Sequence, residues 1–142
     1  MLTRRELAVS AVAFLVSCAT APEQVAEPEV PSGPLYFDLH IDTPARLVSE
    51  GLNLAESHEY TSVDIPKMKQ GGMNAGFFAV STPARSQTPL EAVKKALEIT
   101  DVIVKEVKRH PSDLFLATTS EDVLRAQREG MIGVLIGMTH GY

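Results

Sequence analysis

The 142-residue chain sets 13 lysines and arginines against 18 aspartates and glutamates, a formal charge of −5 at pH 7, and it contains one cysteine and no tryptophan. An acidic balance without a basic run, and with only 6% aromatic residues, argues against a nucleic-acid partner and against a platform for stacking bases. A single thiol rules out an internal disulfide framework, and the length suits one folded domain.

The first residues read as an address. Thr3-Arg4-Arg5-Glu6-Leu7 is a basic stretch and Leu7 to Val16 an apolar one, about half of the ~20 residues that span a bilayer. Residues 1–17 are therefore expected to be a secretory signal, and the paired arginines resemble a twin-arginine signal for folded cargo. Leu15-Val16-Ser17-Cys18 resembles a bacterial lipoprotein box, which would make Cys18 the lipidated mature N-terminus and hold the protein at a membrane surface. Ordinary cleavage after Ala19-Thr20-Ala21 is the alternative and would release a soluble exported protein. The expected address is thus the cell envelope or periplasm. Residues 18–34, with Pro22, Pro28, Pro31 and Pro34 among Glu23, Glu27 and Glu29, suit a disordered, semi-rigid tether. Folded structure is expected over 35–142.

In that part, Leu35 to Asp42 predicts a first strand, and Ala45 to Ser49 a short helix closed by Gly51. Residues 52–62 are polar and predict a loop in which His58 is solvated. Asp64 is the expected cap of a short helix with Pro66 in its first turn and Gly71-Gly72 at its end. Asn74 to Ser81 predicts a second, buried strand. Thr88-Pro89 opens a long helix in which Leu90, Val93, Leu97, Val104 and Val107 recur at helical spacing until His110-Pro111. A short apolar piece, Leu114 to Ala117, precedes a helix starting at Ser120 and closed by Gly130. Met131 to Ile136 then predicts a strand covered on both faces. Met68, Met73 and Met131 are expected in the core, with Lys67, Lys69, Arg125 and Arg128 on solvated faces. Alternation of this kind calls for a parallel α/β sheet with three main strands.

Chemistry concentrates in Asp38-Leu39-His40-Ile41-Asp42-Thr43-Pro44. On a regular strand Asp38, His40 and Asp42 share one face, with Leu35, Phe37, Leu39 and Ile41 opposite. An imidazole and a carboxylate two residues apart make half of a site for a borderline cation such as zinc. A strand-end pair making local hydrogen bonds is the plainer alternative. His110 fits a helix end, where an imidazole suits the dipole.

Three stretches together resemble the N-terminal part of the membrane dipeptidase (renal dipeptidase-like) family of metallopeptidases: Asp38 to Pro44, Asp64 to Phe78 with its Gly71-Gly72, and Ala117 through Gly137. The resemblance implies an incomplete (β/α)₈ TIM-type barrel of about three β/α units, a zinc-dependent dipeptidase activity using two ions, and His40 and Asp42 as ligands of one ion. It also implies a bridging glutamate at the end of the third main strand, where Gly137-Met138-Thr139-His140-Gly141-Tyr142 puts Thr139 instead. A neutral hydroxyl cannot bridge two cations, and His140 faces the other way on a regular strand. The chain on its own is therefore expected to be a truncated, inactive fragment, with a missing C-terminal half or a second copy in a homodimer as its candidate protein partner. The rival expectation is a non-catalytic envelope lipoprotein that keeps a partial barrel as a binding or structural element.

Overall fold

The computed structural model describes residues 32–82 and 88–139; the expected signal segment, Cys18, most of the tether and His140 lie outside them. Chain order is β1 (Phe37–Ile41), α1 (Thr43–Glu50), α2 (Ile65–Gln70), β2 (Ala75–Ser81), α3 (Pro89–Arg109), β3 (Leu114–Leu116), α4 (Ser120–Glu129) and β4 (Ile132–Thr139). The strands form one parallel sheet in the order β1-β2-β4-β3. The three expected strands thus lie side by side in chain order, and the short apolar piece adds a fourth at the edge. It pairs only as far as Leu116 with Val134, so the second half of β4 has no β3 beside it.

Local chemistry explains the helix boundaries. Thr88 and Thr119 each accept an N–H from the third residue of their helix, while Glu91 and Asp122 reach back to the cap, boxes that stabilise a helix start by about 1 kcal/mol each. The cap of α4 is Thr119, one residue ahead of the expected Ser120. Gly51 and Gly130 end α1 and α4 in the left-handed conformation that disfavours a Cβ.

One core cluster joins Ile41, Phe78, Val80, Ile132 and Val134 of the sheet to Leu47 of α1, Met68 of α2 and Ile99 and Ile103 of α3. Those three helices therefore share a face. Gly133, between Ile132 and Val134, points to the other: a Cβ there would meet Ala75, Ala117 and Ala126 of α4. Thus α4 covers the opposite face, over a small cluster of Ala75, Ala117 and Val123.

Three expectations on burial change. The stripe of α3 that packs is Ile99, Ile103 and Glu106, whereas Leu90, Val93 and Leu97 are exposed, because at 3.6 residues per turn they lie on the opposite side of the helix from that stripe. Lys67 is held by the carbonyls of His58 and Thr61 and by the Asp64 carboxylate, and is no simple solvated side chain. His58 is half-buried: its Nε2 lies 3.2 Å from the Asn53 carbonyl, and its N–H donates to Asp64 Oδ2 at 3.2 Å.

Strand β1 departs most from expectation. It is shorter than 35–42, and its register against β2 shifts between Asp38, opposite Gly76, and Ile41, opposite Phe78. Three steps on β1 answer two on β2, which is a β-bulge. Asp38 and Ile41 consequently both lie over Gly76, whose missing Cβ would stand 3.5 Å from Asp38 Cβ and 2.7 Å from Ile41 Cδ1. Asp38 therefore does not share a strict alternating face with His40 and Asp42, and Leu39 is 76% exposed. Gly76→Val should destabilise the chain by about 1–3 kcal/mol through overpacking against Ile41 and the Asp38 backbone, read as a lower urea midpoint.

Candidate metal centre

Because the strands are parallel, the C-terminal ends of β1, β2 and β4 gather along one rim of the sheet. Ile41 ends β1, and Asp42 caps α1 with its backbone while leaving its carboxylate unused by the helix. His40 Nε2 stands 3.1 Å from Asp42 Oδ1, with 49% and 74% of the two side chains open to solvent. The two donors expected from the sequence are thus adjacent and accessible. Asp38 Oδ1 instead accepts the backbone N–H of His40 at 2.8 Å, so one of its oxygens serves the backbone.

The same rim carries hydroxyls on the neighbouring strands. Ser81 ends β2 beside Thr139 of β4, and Thr82 follows, buried. Thr139 Oγ1 is buried and has no hydrogen-bond partner among the described residues. Ser81 and Thr82 were not foreseen from the sequence; the strand-end position was legible, but lateral placement beside Thr139 follows only from the sheet order. Among the described residues no group of three or more His, Cys, Asp or Glu side chains converges to hold an ion. A nitrogen and a carboxylate oxygen suit a borderline divalent cation, but they make up half of the four-ligand shell usual for zinc.

The other described histidines stand apart from this rim. His110 is the C-cap of α3, where its N–H donates to the Glu106 carbonyl, and its Nε2 lies 3.6 Å from Glu106 Oε2. His58 is spent on the loop before α2. A groove of about 640 Å³ along the outer side of β1 is lined by Tyr36, Asp38, Leu39, Val63 and Met68 and includes neither His40 nor Asp42. No described helix is long and apolar enough to cross a membrane.

Solved structures similar to this chain include two metallo peptidases and a probable dipeptidase. The chain is similar to a metallo peptidase from Rhodobacter sphaeroides, solved with a phosphinate mimic of the dipeptide L-Ala-D-Ala, at 20% identity and TM-score 0.62 over 73% of this chain and 37% of that one. It is similar to the probable dipeptidase PvdM from Pseudomonas aeruginosa at 20% identity and TM-score 0.63, covering 73% and 28%. Dipeptidase AC, a metallo peptidase of family M19, matches at 22% identity and TM-score 0.61, covering 73% and 36%. The chain therefore spans about a third of the length of these proteins. A family model for membrane dipeptidases matches residues 29–142, which include every described residue, and the chain belongs to that family, peptidase family M19.

Proposed function

We propose that this chain supplies part of the metal centre of a zinc-dependent dipeptidase, with His40 and Asp42 holding one ion. The observation that carries the reading is the pair itself: Nε2 and Oδ1 are 3.1 Å apart, exposed, at the strand ends of a parallel sheet. A dipeptide substrate is supported by family membership and by the dipeptide mimic bound to the Rhodobacter sphaeroides relative. When bound, the ions of such a centre supply an activated water and polarise the scissile carbonyl. In this chain, His40 and Asp42 present one nitrogen and one oxygen donor and leave the remaining positions to water or to other protein groups. Two donors with a net charge of −1 hold a divalent ion weakly. The 142 residues alone are accordingly proposed to be inactive, since closure of such a barrel takes about 250 residues. Lipidation at Cys18 would set the centre at an envelope membrane surface.

Thr139 favours a second reading, a non-catalytic envelope protein that keeps a partial barrel. Its hydroxyl occupies the rim position where the family resemblance calls for a bridging carboxylate.

Calorimetric titration of the purified chain with zinc tests both. Wild type should bind one zinc weakly, His40→Ala and Asp42→Ala should bind none, and Thr139→Glu should bind about tenfold or more tightly. No variant should turn over a simple dipeptide. Equal zinc binding by wild type and His40→Ala would refute the metal assignment, and turnover by wild type would refute the inactivity.

A further inference from the structure

The bulge in β1 and the side chain of Asp38 point to a positioning role beside the proposed ligands. The extra residue of β1 falls between Asp38 and Ile41, within the segment that carries His40. An extra residue in a bulge loses its place in the ladder, so the backbone there needs another partner. Asp38 Oδ1 provides it, accepting the His40 N–H at 2.8 Å across a two-residue turn. The other side of the bulge is fixed by Ile41, 2% exposed and joined to the core with Leu47 and Phe78. His40 therefore sits between a buried anchor and a carboxylate hook, and its ring meets Asp42 beyond that anchor at 3.1 Å.

We propose that Asp38 is a positioning residue: by holding the His40 N–H it fixes the bulge, and so sets the imidazole of His40 beside Asp42 in the geometry that receives a divalent cation. The proposal rests on the reading of His40 and Asp42 as ligands. It assigns Asp38 no direct bond to the ion. Asparagine keeps an amide oxygen that can accept the same N–H, whereas alanine removes the acceptor. A direct ligand role would instead make asparagine and alanine about equally damaging, because a neutral amide oxygen is a poor substitute for a carboxylate on zinc.

The test compares wild type, Asp38→Ala, Asp38→Asn and His40→Ala in the full chain, with two readouts besides activity. Zinc affinity is measured by calorimetry, and exchange of the His40 amide proton is followed by NMR without metal. Asp38→Ala should lower zinc affinity by about 10–100-fold, the range for residues that orient ligands, and should speed His40 amide exchange by about tenfold. Asp38→Asn should stay near wild type in both, and thermal midpoints should show that each variant is folded. The proposal is overturned if Asp38→Ala leaves both readouts unchanged, or if Asp38→Asn binds zinc as poorly as Asp38→Ala. Zinc binding absent from wild type and His40→Ala alike would defeat the ligand reading and with it the metal half of this proposal. The amide readout would then judge the bulge contact by itself.

Discussion

Asp64→Ala is expected to cost about 2–4 kcal/mol, because it removes the cap of α2 and the acceptor of the His58 N–H and leaves the half-buried Lys67 ammonium with carbonyls alone, a large part of the 5–15 kcal/mol that holds a small domain together. Asp64 is fully buried and caps α2 by accepting the Lys67 N–H at 2.8 Å. Its other oxygen accepts the His58 N–H at 3.2 Å and stands 3.1 Å from the Lys67 ammonium. Burial pushes this carboxyl up, but the hydrogen bonds from Lys67 and His58 together with the Lys67 charge outweigh it and hold the group below the ordinary aspartate range. The ionised form is thus favoured in the folded state. Its stabilisation is fully present above the unfolded value of about 3.9 and is lost as pH falls through the lower folded value. Asp64→Asn keeps an oxygen for the cap and loses the charge, so it should cost less, about 1–3 kcal/mol. Urea melts from pH 7 down to pH 3 check both: the gap between wild type and Asp64→Asn should narrow as the medium becomes acidic. A gap that widens instead would contradict the assignment.

Phe78→Ala should be comparably severe, at about 3–5 kcal/mol, because a large ring leaves a cavity that the surrounding side chains only partly close. Phe78 is 1% exposed, is paired with Ile41 across β1 and with Ile136 across β4, and belongs to the cluster that contains Ile99 and Ile103. It lies where strand, bulge and long helix meet. The measurement is the urea midpoint, with far-ultraviolet circular dichroism to detect outright failure to fold. Phe78→Leu, which retains much of the volume, should lose distinctly less.

The elements of this fold were legible in the sequence wherever a local group decides them. Thr88 with Glu91, Asp64 ahead of Pro66, and the glycines at 51 and 130 mark helix ends by the hydrogen bonds and backbone angles that they alone permit. The central strand Ala75–Ser81 lay within one residue of its expected span. The adjacency of His40 and Asp42 was legible for the same reason, being a matter of two residues in one short segment. What the sequence withheld depends on partners distant along the chain. The bulge of β1 exists only relative to β2, so no alternation rule applied to 35–42 could reveal it. The exposed Leu90, Val93 and Leu97 obey the same periodicity as a buried stripe, and only which side of α3 meets the sheet separates the two. Lys67 likewise resembles any solvated lysine until the 58–64 loop folds its carbonyls around it.

The placement of α4 has a further consequence for access. Ala126 packs against the Gly133 backbone at the beginning of β4, so this helix stoppers one end of the sheet face that it covers. The opposite end of that face, at the finish of β2 and β4, has no described helix across it. Among the described residues, the finish of β2 and β4, along the rim that also bears His40 and Asp42, is thus the end of this face that α4 leaves open.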